Sequence, residues 1–255
     1  MARSLMALSA AAGCVVLASV HLAADEPDAA NPAAANPAAE KRTPAKDPPG
    51  MKRLMPDYDV WIDPVHKRIV VDGTVSLREG ALEMFACTRG TKEHESIVAA
   101  DTMAYAVHAG LLALGAKAGT PAQFQPEYKP ATGTQIDIEI VWRDKNGTVH
   151  RDRAADWIRN VKTGKALDHP WVFAGSGFWH DEATGNKVYL AESGDFICVS
   201  NFPSAMLDLP IESSQANEAL LYEAFTERIP PVGTRVRLVL TPKVEQGSAA
   251  EKRKP

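Results

Sequence analysis

Six consecutive residues, Thr91-Lys92-Glu93-His94-Glu95-Ser96, carry the densest mix of chemically useful side chains in the sequence. A neutral imidazole near a cation and a hydroxyl has the parts of a general base, and His94 with a carboxylate could bind a metal. Read as an extended segment, it points Lys92, His94 and Ser96 one way and Glu93 and Glu95 the other. The same composition suits a polar connector in which His94 and Glu95 tie down loop backbone through hydrogen bonds. Lys92, His94, Glu95 and Ser96 are therefore the candidates for ligand or partner binding, with His94 expected to be at least partly shielded from solvent. No residue stands out as catalytic. The alternatives are a hydrolase-like or metal-dependent enzyme using His94 and Glu95, with Cys87 a weaker nucleophile, and a purely structural domain.

Other constellations point less sharply. Gly175-Ser176-Gly177 invites comparison with a nucleophile elbow, but Ala174 and Phe178 stand where the motif's outer glycines would be, so a tight turn or bulge is expected. His108 falls among apolar helix positions and reads as a core or boundary histidine. His169 and His180 flank the aromatic cluster Trp171, Phe173, Phe178 and Trp179, and Asp181-Glu182 after His180 reads as a solvated turn rather than a cation site. No HExxH and no phosphate-cradling glycine loop occurs, so no metal site or cofactor is assigned. An iron–sulfur cluster is disfavoured, because only Cys87 and Cys198 follow the N-terminal segment and such clusters usually need four thiolates. Those two cysteines could form a disulfide closing a loop of about 110 residues, or remain buried thiols.

The elements that would hold these groups are mostly strands. Ile69, Val71, Val75 and Leu77 alternate with Arg68, Asp72, Thr74 and Ser76, and with Tyr58, Val60 and Ile62 they predict a hairpin over 57–77 turning at Asp63-Pro64. Ile136, Ile138, Ile140 and Trp142 alternate likewise, and Asn146-Gly147 offers a hairpin turn before 148–151. Residues 82–87, 188–191, 196–200 and 236–240 are further strand candidates. One substantial helix is expected over about 101–115, with Asp101 or Thr102 as cap, Met103, Val107, Leu111 and Leu114 on one face, and Gly115 ending it. A shorter helix is expected over 154–160, and 217–225 is ambiguous between helix and strand, leaning to helix. The fold class that results is α+β, a strand-rich single domain over 51–242 built mostly from antiparallel hairpins.

The ends read differently. Arg3, the uncharged apolar run Leu5 to Leu22, and Ala23-Ala24 before Asp25-Glu26-Pro27 have the pattern of a signal peptide over 1–24. Cys14 follows Ala11-Ala12-Gly13 as in a lipoprotein box, but the sequence continues apolar where such boxes turn polar, so Cys14 reads as part of the apolar region. Residues 25–50 are rich in Ala and Pro and hold no aromatic, Leu, Ile, Val or Phe, the composition of a disordered linker. The tail over 243–255 reads the same way. The expected address is periplasmic or secreted, with no stable transmembrane anchor after cleavage.

Several segments resemble the YdjY domain of exported bacterial proteins. They are Thr91 to Ser96, Val107-His108-Ala109 with Leu111 to Gly115, Val172 to Trp179, and Val199 to Pro210. The resemblance covers most of 51–242. It implies an exported or lipid-anchored envelope domain without an established activity, and a partner that is an envelope protein or small molecule. The ferredoxin-like label attached to some relatives does not transfer, since the cysteines it requires are missing. A formal charge of −4 also gives no net pull toward nucleic acid.

Overall fold

The computed structural model describes residues 44–180, 182, 184–213 and 220–244. The signal-peptide pattern, most of the linker and the tail from 245 onward lie outside them.

Nine strands position everything discussed below: β1 Arg68–Val75, β2 Met84–Thr88, β3 Ser96–Ala100, β4 Gln135–Arg143, β5 Val149–Arg153, β6 Trp171–Phe173, β7 Ile197–Cys198, β8 Leu207–Asp208 and β9 Arg235–Pro242. All but β5 join in one ring, β1-β9-β4-β6-β8-β7-β2-β3, which closes where β3 pairs back onto β1. The pairs β2–β3 and β7–β8 are parallel, and the other ring contacts are antiparallel. The fold is therefore a mostly β, eight-stranded barrel with added strands, and the α+β class expected from the sequence is overturned. Alternation correctly marks strands such as β1 and β4, but closure depends on β6, β7 and β8. These have only two or three residues each and are buried at every position, so they carry no alternating pattern.

The barrel is filled from its long strands. Ile69, Val71 and Val75 of β1, Ile136, Ile138 and Ile140 of β4, and Leu238 and Leu240 of β9 are buried in one cluster with Phe85, Ile97 and Phe173. Two long strands splay, each using one edge twice. β1 pairs first with Val60–Asp63, as the predicted hairpin requires, and then with β3. β4 pairs first with β6 and then with β5, whose connection is the predicted Asn146-Gly147 turn.

The single α-helix among the described residues, α1 Ala104–Ala113, buries Val107 and Leu111. Gly110 lets it approach the barrel, because a Cβ there would lie 2.6 Å from the Ile69 Cδ1 atom. Its C-terminus has the double bond expected around a left-handed glycine. Gly115 N–H donates to the Leu112 carbonyl and Ala116 N–H to that of Leu111. Its N-cap residue is Met103, one or two positions beyond the expected Asp101 or Thr102, and its side chain makes no cap. The Glu192 carboxylate accepts from Ala104 N–H at 3.1 Å and Tyr105 N–H at 2.9 Å, a cap supplied from far along the chain. The helix expected over 154–160 is one 3-10 turn, Ala154–Trp157, running into the strand Ile158–Asn160. In the ambiguous stretch after 217, Tyr222–Ala224 is a strand paired with it.

Residues 44–50, which the sequence places in the linker, lie against the outside of the barrel. Trp61 Nε1 donates to Asp47 at 2.8 Å, and Ala45 N–H donates to the buried Asp59 at 2.7 Å.

Candidate functional site

The Thr91–Ser96 segment is the connection between two parallel neighbours, β2 and β3, and must run back along the barrel wall within a few residues. Glu93–Glu95 make a 3-10 turn to do so, which breaks the extended alternation expected of the segment. The four candidates consequently face different surroundings.

Lys92 is drawn inward. Its ammonium lies 3.0 Å from Asp195 Oδ1, 3.6 Å from Glu95 Oε1 and 3.9 Å from Glu83 Oε2, and 4.8 Å from the centre of the Phe202 ring. Burial works against the charge, but Asp195, Glu95 and Glu83 outweigh it and hold the Lys92 pKa above the ordinary lysine value. Burial, and then the neighbouring Glu95, push the Glu83 carboxyl up. Glu95 is a mostly shielded member of the same cluster. His94 is not shielded: its side chain is 77% exposed, and its nearest charged neighbour is Glu95 at 3.8 Å, beyond hydrogen-bond reach. Ser96 is fully buried beside the Cys87 thiol and cannot meet a ligand at the surface.

The pairing of Cys87 and Cys198 does not occur; both are buried free thiols. Register explains why. Cys198 lies opposite Met84, three residues from Cys87 along β2, a separation of roughly 10 Å at about 3.3 Å per residue and beyond disulfide reach. Burial raises both thiol pKa values, Cys198 well above the ordinary range, so neither is poised as a nucleophile.

Asp195 links Lys92 to a longer network. Its other oxygen, Oδ2, accepts from Ser204 Oγ and from Ser193 Oγ. The Ser204 carbonyl accepts from Ser176 Oγ at 2.6 Å, and Ser176 Oγ in turn accepts from Ala191 N–H at 3.1 Å. Nearby, Tyr189 donates its hydroxyl to the Gly175 carbonyl at 3.1 Å and lies 2.8 Å from His108 Nδ1. His108 packs edge-on against Phe173 and Tyr189, and burial lowers its pKa, favouring the neutral ring. Ser176 has φ +57°, so the Gly175-Ser176-Gly177 stretch is the sharp turn that the sequence implied. Its hydroxyl proton is committed to a backbone carbonyl, which argues against a nucleophilic role.

Below this network sits Asp208, fully shielded in the fold. It accepts from Asn201 Nδ2 at 3.0 Å and Leu209 N–H at 2.7 Å, and Asn201 Oδ1 accepts from Tyr128 at 3.0 Å. Burial pushes the Asp208 pKa up to about 7.

The sequence singles out Lys92 and Glu95, which the fold places in one charge cluster, but not Glu83, Asp195 and Phe202, which join them there. Gly194, at φ +116°, packs so tightly on Thr91 that a Cβ would lie 2.7 Å from Thr91 Oγ1, and Asp195 follows it directly. The other flagged groups stay apart. His169 is 3.3 Å from Asp168 at the surface, and His180 is an exposed residue of a separate hairpin. Asp181 lies outside the described residues, and no cluster of three or more metal-binding side chains occurs among those described.

The family model of the YdjY domain matches residues 60–241, so the chain belongs to the YdjY domain family. No curated protein and no solved structure matches it.

Proposed function

Taking YdjY membership as the premise, we propose that this chain is an exported, non-catalytic binding module whose ligand or partner docks on the Thr91–Ser96 segment and presents a positive charge to it. The observation that carries the reading is the imbalance around Lys92: three carboxylates, Glu83, Glu95 and Asp195, surround one ammonium. Glu95 lies at the rim of that cluster, and His94 stands largely in solvent beside it. A cationic group arriving there would meet uncompensated negative charge without having to displace Lys92. Export rests on the N-terminal pattern, and sequencing of the mature protein should begin near Asp25.

The enzyme reading is weaker on geometry. A general base needs a second polar group and a substrate pocket within reach. The charged group beside His94 is Glu95 at 3.8 Å, beyond hydrogen-bond reach.

Titrating the purified protein with a short lysine-rich peptide, followed by amide NMR, tests the proposal. Shifts should concentrate at 91–96, weaken with salt and fall several-fold in Glu95→Gln. Shifts that are absent, or unchanged in Glu95→Gln, would count against the site.

A further inference from the structure

The barrel is closed, yet β5 leaves it with one open edge. Among the described residues β5 pairs with β4 alone, in the register Arg143↔Val149, Val141↔Arg151 and Glu139↔Arg153. Asp144 N–H donates to the Thr148 carbonyl in that same register. In an antiparallel ladder the bonded pairs then fall on every second residue, so His150 and Asp152 turn their backbone groups toward β4. Val149, Arg151 and the Arg153 N–H turn theirs outward, where no described residue bonds them.

The side chains along that edge are sorted by face. His150 stacks on Trp142 with ring centres 4.1 Å apart, and Asp152 accepts from Trp142 Nε1 at 2.7 Å, which locks the strand in place. On the outer face Val149, Arg151 and Arg153 continue a surface formed by Val141, Arg143 and Arg235. A groove of about 210 Å³ there is lined by Val141, Arg143, Val149 and Arg235 together with the ion-paired Asp72 and Arg237. Arg151 pairs with Glu139 at 2.7 Å. Arg143, Lys145 and Arg153 have no carboxylate partner among the described residues, although the chain as a whole is acidic.

We propose that the β5 edge binds an extended acidic peptide by strand addition, with acidic side chains at alternate positions reaching Arg153 on the edge and Arg143 across Val149, the Glu139-paired Arg151 lying between them. Three observations select this occupant. Outward backbone donors and acceptors call for a backbone partner, which an anionic glycan lacks. The uncompensated cations call for acids on one face of the added strand. A second copy is disfavoured, because a two-fold pairing centred on Arg151 sets that guanidinium against its own mate. The proposal is independent of the Lys92 site, which calls for the opposite charge.

The test is an amide NMR titration of the purified protein with a capped heptapeptide of alternating threonine and glutamate. It is paired with the same peptide N-methylated at alternate residues, and with a sulfated oligosaccharide. Strand addition predicts shifts and slowed amide exchange at Val149, Arg151 and Arg153, and at least tenfold weaker binding after N-methylation of the bonding face. It also predicts at least tenfold weaker binding to an Arg143→Glu, Arg153→Glu variant whose spectrum is otherwise native. The proposal is overturned if the N-methylated peptides bind equally well, if the oligosaccharide binds the edge as tightly, or if the peptide causes no shift at millimolar concentration. The two peptide arms decide the matter even if the charge-reversal variant does not fold.

Discussion

Two walls of the barrel treat polar groups in opposite ways. On the wall of β2, β3, β7 and β8 the strands are two to five residues long, and acids, hydroxyls and an ammonium are drawn inside and paired with one another. On the wall of β4, β5 and β9 the strands reach nine residues. Their charges stand outward, and one edge is left open. Short strands supply few ladder bonds, so the first wall is held together by side chains, and loss of its buried ammonium should cost the most stability. The second wall holds itself by backbone, so its side chains are free to meet a partner. Density of chemically useful residues in a sequence can thus mark a joint in the structure as readily as a site.

The sharpest way to break this comparison is to remove the charge at the joint. Lys92→Met leaves Glu83, Glu95 and the buried Asp195 facing each other without a cation. Removing one partner of a buried pair costs about 3–5 kcal/mol, and the partial exposure of Lys92 places this case near ~3 kcal/mol. Arg153→Met, on the open wall, should change stability by less than about 0.5 kcal/mol. Urea unfolding of both variants checks this. Equal losses would mean that the two walls do not differ in the way argued.

Asp208 sharpens the same point through pH. Its pKa is raised from 3.8 in the unfolded chain to about 7 in the fold, so the folded state holds a proton that the unfolded state has released between those values. Stability contributed by this group therefore falls as pH rises from about 4 to 7, and the loss is complete above 7. Asp208→Asn keeps an acceptor for Asn201 and Leu209 while removing the ionisation. The variant should be more stable than the parent above pH 7, by an amount on the order of 1–3 kcal/mol, with the advantage shrinking toward pH 4. Unfolding free energies across that range would show it. A difference independent of pH would assign the effect to something other than this carboxyl.

Tyr189 joins Gly175 to His108, and Tyr189→Phe removes both bonds without opening a cavity. It leaves the Gly175 carbonyl and His108 Nδ1 to find new partners, for a loss of about 1–2 kcal/mol in thermal or urea unfolding. A loss near zero would mean that the network adds little beyond packing.

How much of this was legible depended on strand length. β1, β4 and β9 announce themselves through Ile69-Val71-Val75, Ile136-Ile138-Ile140 and Val236-Leu238-Leu240, and both hairpin turns were readable from Asp63-Pro64 and Asn146-Gly147. The barrel was not readable. Its closing strands hold residues such as Trp171, Val172 and Phe173, all buried, which look the same whether the sheet is open or closed. The candidate segment was legible in composition but not in direction. Whether His94 or Lys92 turned inward depended on Asp195 and Glu83, acids that no spacing rule connects to residue 92. The helix cap failed for the same reason, because Glu192 took the place that Asp101 or Thr102 would fill locally.

The smallest effect is expected at the residue that first drew attention. His94 was expected to be partly shielded, which would have made its replacement costly. In the fold its ring makes no hydrogen bond to any described residue, and 77% of its side chain faces solvent. Deleting it removes neither buried apolar surface nor a partner from a buried polar group, the two mechanisms behind large losses. His94→Ala should therefore change the unfolding free energy by no more than about 0.5 kcal/mol, while Lys92→Met two positions earlier costs several times that. A stability loss above 1 kcal/mol for His94→Ala would show that the ring turns inward and joins the Lys92 cluster, and the proposed docking face would then lose its exposed edge. If stability is unchanged, His94 remains free to contact a bound partner. In that case the lysine-rich peptide titration should weaken in His94→Ala by less than it does in Glu95→Gln, because an attraction to positive charge rests on the carboxylate and not on the imidazole.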